Sequence, residues 1–298
     1  MKPMPLLTIS SKETIEKCAN LEVEDSDIFL CSYPKSGTTW CQFIVISLVL
    51  LQRKKKNLQN VEYGHVSELA PFFEIDSHWD GENLTCSIRE KHKLLGRRIF
   101  NTHLRGDMLP KRMQKGGKNI GKFVYITRNP LDTCVSFYHH LSHQLEGQYE
   151  KSLREFYDEW VNGEIPFGSW SDHIISYAAL MANDEVLHMS YEDLVLNPKS
   201  CLIRLTEFLE LDQIEENDII SLLPTFSFAS MKKDITRFQP KSVTWVGNFS
   251  FLRKGLIGDN KNELEDEIRQ GYKDYLKKLV GSFEDDSSIG RALSMYVE

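Results

Sequence analysis

Four apolar runs, near residues 27–33, 97–102, 122–127 and 185–190, read as β-strands, and the segments between them carry helical spacing. Leu153, Phe156, Tyr157, Trp160 and Val161 recur at intervals of three and four, which predicts an amphipathic helix; Trp170 to Met181 repeats the pattern more weakly. Strands alternating with helices predict a parallel sheet covered on both faces, with ligands bound beyond the strand C-termini. A chain of 298 residues can bury a large core, and no linker, repeat or low-complexity tract divides it. A single α/β domain spanning 1–298 is expected. The short run Arg53-Lys54-Lys55-Lys56 closes the first long apolar helix and reads as a solvated helix end, its cations well placed near the C-terminus.

The chemistry begins where the first strand meets its helix. Asp27-Ile28-Phe29-Leu30-Cys31 passes through Ser32-Tyr33-Pro34-Lys35-Ser36-Gly37-Thr38-Thr39-Trp40 into an apolar helix from Cys41. A strand, a glycine-containing turn and a helix N-terminus aim backbone N–H groups and the positive end of a helix dipole at one point, which suits an anion. Lys35 adds a charge, and Ser36, Thr38 and Thr39 add hydroxyls, favouring a phosphate or sulfate ester. The loop is not a Walker A sequence, because Lys35 precedes Gly37 by two residues and the first glycine is missing.

A second junction follows the strand Lys122–Thr127, where Arg128-Asn129-Pro130 leads into a helix carrying Ser136 two turns later. Arg128 and Ser136 could clamp one phosphate. Near the C-terminus, Arg253-Lys254-Gly255-Leu256-Ile257-Gly258 places two cations before two glycines and reads as a further phosphate-binding loop.

Tyr33–Trp40 reproduces the Tyr-Pro-Lys-Ser-Gly-Thr-Thr-Trp motif of the cytosolic sulfotransferases, and the chain resembles that family from the first strand to the last glycine-rich loop. The resemblance implies a central parallel sheet flanked by helices, with a P-loop-like phosphosulfate-binding loop. It also implies 3′-phosphoadenosine 5′-phosphosulfate (PAPS) as donor, PAP as its product, and no metal. Lys35, Ser36, Gly37, Thr38, Thr39 and Trp40 would form the phosphosulfate loop, Arg128 and Ser136 the 3′-phosphate clamp, and Arg253, Lys254 and Gly255 the last loop. Tyr191, Ser227, Phe228 and Met231 match residues around the adenine, with Trp40 and Phe228 stacking on the base. Asn260 replaces the family's tryptophan in the last loop, which removes a large hydrophobic anchor and leaves the rigidity of this loop open.

His103 follows the strand ending at Thr102, and a neutral imidazole at a strand end can take an acceptor proton near pH 7. The family's catalytic histidine sits in a similar Thr-His-Leu context. By the same resemblance Lys35 would stabilise the leaving phosphate, and Ser136 would hold Lys35 away until the acceptor arrives. Phe72, Phe73 and His140 are expected to line the acceptor pocket. Asn101 stands where phenol-type relatives carry a lysine, which weakens the case for simple phenols. The implied reaction moves a sulfonyl group to a hydroxyl or amine of a phenol, steroid alcohol or catecholamine. A silent PAPS- or PAP-binding protein is the alternative, and a P-loop kinase is a weaker one.

A net charge of −7 argues against nucleic acid or an anionic membrane as partner, so a locally basic pocket is expected within an acidic protein. The six cysteines form no Cys-x-x-Cys pair or metal spacing and fit a reduced compartment. The longest apolar run, Phe43–Leu51, is too short to span a bilayer, and no leader is evident, so a cytoplasmic location is expected. Glu265 and Asp266 replace the Thr-Val of the family's pairing segment, which favours a monomer or a non-standard dimer. The short stretch before the first strand leaves part of the usual acceptor wall missing or replaced.

Overall fold

The computed structural model describes residues 3–114, 121–247, 249–283 and 287–297. Strand β1 (Ile28–Ser32) is buried along its whole length, and its alternating side chains enter two separate cores. Phe29 and Cys31 face one, Ile28 and Leu30 the other. Phe29 stacks between Phe100 at 4.9 Å and Phe123 at 4.7 Å, so the first core runs across neighbouring strands. Those neighbours are β2 (Ile99–Thr102) and β3 (Lys122–Thr127), and β4 (Val186–Ser190) completes a parallel sheet in the order β2-β1-β3-β4. Leu30 stands opposite Asn101 on one side and Val124 on the other.

The order places a topological switch between β1 and β3, because the chain leaves β1 in one direction to β2 and returns to its other side. Helix α1 (Lys12–Asn20) precedes the sheet, α2 (Thr38–Lys55) follows β1, and α3 (Pro130–Leu141) follows β3. Ile44 and Leu48 of α2 pack into the core beneath Ile28 and Leu30, whereas Val135 and Leu141 of α3 join the core around Phe29. The two helices therefore lie on opposite faces, and their N-termini meet over the carboxyl edge of the sheet.

The strand expectations hold to within two residues, and the helix at Leu153–Asn162 forms as its spacing requires. The weaker pattern from Trp170 gives a helix to Ala178 and then a 3₁₀ turn over Leu180–Ala182. The basic run that closes α2 lies at the surface with Lys54 and Lys56 exposed, Lys55 pairing with Asp218 and Lys56 with Asp212 at 2.9 Å. The N-terminal segment is tied down at both ends, Pro5 O accepting from Phe167 N at 2.8 Å and Ile9 O from Asp76 N at 3.0 Å. All six cysteines are free thiols and only Cys86 is exposed. No helix among the described residues is long and apolar enough to cross a membrane.

Candidate active site

The loops after β1 and β3 converge with segment 251–259 on one cavity of about 480 Å³. In the first loop Lys35 (φ 68°) and Gly37 (φ 103°) both take the left-handed backbone. For a lysine this costs on the order of 1 kcal/mol, strain of the kind retained where a site requires it. Gly37 caps α2 without a side-chain hydrogen bond, and the first turn of that helix holds no acidic residue. Its leading N–H groups thus stand beside Gly37, Thr38 and Thr39 on the cavity wall with no carboxylate of their own. Gly37 is also sterically required, since a Cβ there would lie 2.9 Å from the Tyr191 ring.

Arg128 ties the three loops together. Its two terminal nitrogens donate to Lys35 O and Leu256 O, each at 3.0 Å, and its guanidinium lies 4.4 Å from the centre of the Tyr191 ring. Its Nε is buried without a partner, while the residue itself lines the cavity. Trp40 meets Tyr191 edge to face at 5.7 Å and donates its indole N–H to Phe226 O at 2.9 Å.

The last loop is tethered by a residue far away in the sequence. The Asp132 carboxylate at the start of α3 accepts from Gly258 N at 2.6 Å, from Asn260 N at 2.9 Å and from Asn260 Nδ2 at 2.6 Å. Asn260 is buried, and these hydrogen bonds tether the loop where the family's tryptophan would stand. Gly255 (φ 66°) lies under Phe228, where a Cβ would come within 2.4 Å of the ring. The expected basic pocket is also tempered, because Arg253 and Lys254 both pair with Asp259 and Glu263 at 2.5–3.0 Å.

His103 is placed from both ends. Its backbone N–H donates to Glu74 Oε1 at 2.7 Å, and its Nδ1 lies 2.7 Å from Ser32 O. A carbonyl only accepts, so Nδ1 carries the ring proton and Nε2 has the free lone pair. Burial pushes the imidazole down to about 4, with Lys35 acting in the same sense and the Ser32 carbonyl opposing both. The ring is neutral above that pH and lies between Phe72 at 5.0 Å and Phe167 at 5.3 Å.

Lys35 is enclosed by protein but open to the cavity on one side. Burial, then the charges of Arg128 and Arg253, bring its ammonium down to about 7. Its Nζ lies 3.3 Å from His140 Nδ1 and 4.3 Å from the centre of the Phe251 ring. Its hydrogen-bond partner in this state is therefore His140 rather than Ser136.

Of the residues singled out in the sequence, His103, Lys35, Ser136, Arg128 and Tyr191 line this cavity, as do Gly37, Thr38, Thr39 and Trp40. Ser227, Phe228, Met231, Arg253, Lys254, Gly255, Phe72 and His140 line it too. Two others do not reach it. Ser36 is fully buried behind the loop with its N–H on Tyr33 O, and Phe73 packs in the core against Phe29 and Phe100. Consecutive aromatics on an extended segment must point to opposite sides, so only Phe72 can face the site. Asn101 is likewise buried, its amide donating to Ala70 O at 2.9 Å.

The sulfotransferase domain model matches residues 25–284, a span that includes every loop just described. The chain belongs to the sulfotransferase family. It is a PAPS-dependent sulfotransferase, and its reaction is sulfonyl transfer to a small-molecule acceptor. It is 29% identical to sulfotransferase 1E1 of Mus musculus, over 85% of this chain and 83% of that one. The crystal structure of mouse sulfotransferase SULT7A1 complexed with PAP superposes with a TM-score of 0.71 at 25% identity, covering 97% of this chain and 95% of the other. A retinol dehydratase in complex with retinol and PAP shares the fold, at a TM-score of 0.69 and 20% identity over 90% and 86% of the two chains.

Among the cavity residues of this sulfotransferase that sequence reasoning missed are Glu74 and Phe167 beside His103 and Phe251 beside Lys35. Leu7, Ile9 and Ser10 line the cavity from the short N-terminal stretch, where part of the usual wall was expected to be missing or replaced, and Glu74, Gln144, Phe167 and Phe251 line it too. Glu74 alone had a visible signal, a single charge inside the apolar run Ala70-Pro71-Phe72-Phe73-Glu74-Ile75. The others are scattered over segments far apart in sequence.

Proposed function

We propose that this enzyme binds PAPS along the first and third loops and transfers its sulfonyl group to a hydroxyl or amine held at His103. The placement of His103 carries the reading: a buried neutral base, its tautomer fixed by Ser32 O, shares the cavity with the α2 N-terminus and Lys35. Fit to the donor is supported by Arg128 on the cavity wall, by the α2 amides without a carboxylate, and by a Lys35 ammonium made less stable by burial and by neighbouring cations. A polyanion would relieve that repulsion. Lys35, Gly37, Thr38 and Thr39 would hold the phosphosulfate, Arg128 and Ser136 the 3′-phosphate, and Trp40, Tyr191, Phe228 and Met231 the base, with Ser227 and the Arg253–Gly255 backbone beside them. PAPS supplies the sulfonyl group and leaves as PAP. His103 Nε2 removes the proton of the attacking group as its oxygen or nitrogen bonds to sulfur. Lys35 leaves His140 to stabilise negative charge on the departing phosphate, a role that strengthens as water is excluded.

The whole chain would act as one domain in the cytoplasm, as a monomer or a non-standard dimer, on small-molecule acceptors rather than nucleic acid or membranes. His103→Ala should lower kcat about 10²–10⁴-fold while PAP affinity, read by calorimetry, stays within a factor of about three. A mutant that still transfers at the wild-type rate would remove the base from this mechanism.

A further inference from the structure

Residues 71–73 lie along the outer edge of β2 as a short parallel extension of the sheet. Asn101 N donates to Pro71 O at 3.0 Å and Phe73 N to Asn101 O at 2.9 Å, the pattern of a parallel ladder centred on Phe72 and Asn101. The next rung of that ladder would run from His103 N to Phe73 O. It does not form, because the chain turns over Phe73 and Glu74, and Phe73 O already accepts the Trp79 indole N–H at 2.8 Å and the Cys18 thiol at 3.2 Å. The Glu74 side chain supplies the rung instead, its Oε1 accepting the His103 N–H at 2.7 Å. Phe72 on the same segment meets the His103 ring at 5.0 Å, so one stretch of chain touches both the backbone and the ring of the base. Glu74 is almost wholly buried, and burial pushes its carboxyl up to about 7 against the pull of the His103 amide and the Thr102 hydroxyl. An oxygen remains to receive the N–H whether the group is ionised or not, so the contact requires an acceptor at the right reach rather than a charge.

We infer that Glu74 is a positioning residue for the base: its Oε1 stands in for the missing ladder carbonyl and fixes where residue 103 leaves β2. The base is thereby held from both sides of that strand. Ser32 O, at the end of β1, takes the Nδ1 proton, and Glu74 Oε1, from the outer edge, takes the backbone N–H. Without the second hold the backbone at His103 can draw away from the edge, the bond from Nδ1 to Ser32 O loosens, and Nε2 loses its fixed place in the cavity. Proton removal depends steeply on that placement, and a shift of about 1 Å can cost about 100-fold in rate.

Because this role rests on the proposed reaction, His103→Ala is measured in parallel. The acceptor is whichever of 1-naphthol, a 3-hydroxysteroid and dopamine the wild-type enzyme sulfonates fastest, and PAP affinity is read by calorimetry. Methionine matches glutamate in length but carries no oxygen. Glu74→Met should lower kcat about 10–100-fold while the acceptor KM and PAP affinity stay within a factor of about three. Glu74→Gln keeps an oxygen at the same reach and should recover most of that loss; Glu74→Asp, one methylene shorter, should recover less. In a His103→Ala background Glu74→Met should cost less than about threefold more, since both changes act on one group. Nitrogen NMR of the histidine rings gives a readout independent of the acceptor: His103 should hold a single tautomer protonated at Nδ1 in wild type and Glu74→Gln, and a mixture in Glu74→Met. A Glu74→Met enzyme at the wild-type kcat, a Glu74→Gln enzyme as slow as Glu74→Met, or an undiminished further loss in the His103→Ala background overturns the role. If Glu74→Met does not fold, the order of Glu74→Gln above Glu74→Asp decides, and if none of the acceptors is turned over, the tautomer decides. His103→Ala at the wild-type rate would remove the base and this role together, whereas a slow His103→Ala beside an unimpaired Glu74→Met removes this role alone.

Discussion

The two ends of the cavity are built by different physics. At the donor end, backbone amides, fixed charges and hydrogen bonds between loops hold almost every group in place: Arg128 ties Lys35 O to Leu256 O, and Asp132 pins Gly258 and Asn260. At the proposed acceptor end, side chains from separate segments, among them Leu7, Ile9, Phe72, Ile75, Phe167 and Phe251, make a mostly apolar wall. The contrast suits the reaction. A donor with a fixed pattern of charges is met by preorganised groups, whereas acceptor choice rests on shape and on a small number of buried polar positions.

Breaking the donor end should have the largest effect after loss of the base. Arg128→Ala removes two tethers and the proposed 3′-phosphate donors, and PAP affinity should drop on the order of 100-fold, given about 1.5–3 kcal/mol for a charge-assisted hydrogen bond. An acceptor-site defect would raise the acceptor KM while leaving PAP titrations unchanged, so calorimetry separates the two ends. Retention of full PAP affinity would show that the clamp lies elsewhere.

Asp132→Ala tests the tethering without touching the cavity cations. Two backbone N–H groups and the Asn260 amide lose their partner, which should lower unfolding stability by about 1–3 kcal/mol and weaken PAP binding. The check is denaturant unfolding with and without PAP. If stability falls while PAP affinity holds, the loop is a structural brace rather than part of the donor site.

The smallest effect is one of pH. The Lys35 ammonium titrates at about 7 in the free protein, so above that pH it must take up a proton when a polyanion binds. PAP affinity should therefore fall as pH rises from 7, by up to about tenfold per unit. Lys35→Met should flatten the profile and abolish the proton uptake seen by calorimetry in buffers of different ionisation enthalpy. An equally steep profile in that variant would place the titration on another group.

Legibility in the sequence followed the same division. The loop Tyr33–Trp40, Arg128 with Ser136, and Arg253–Gly255 were readable because each is a contiguous run whose backbone geometry is local. Ser36 was misplaced because nothing in a turn's sequence says which hydroxyl points inward, and Phe73 because neighbouring aromatics look alike until the chain direction is known. Asn260 read as a lost anchor, since its partner Asp132 lies 128 positions earlier.

The sequence by itself determined the strand-helix alternation and singled out the three loops and the histidine that line the cavity, because hydrophobic period and turn chemistry act over a few residues. Tertiary structure decided the rest: the tautomer of His103, the contact of Lys35 with His140, the tether from Asp132 and the bond from His103 N to Glu74. Each of these depends on groups far apart in the chain, and only the packing of two cores on opposite faces of β1 brings them within hydrogen-bond reach.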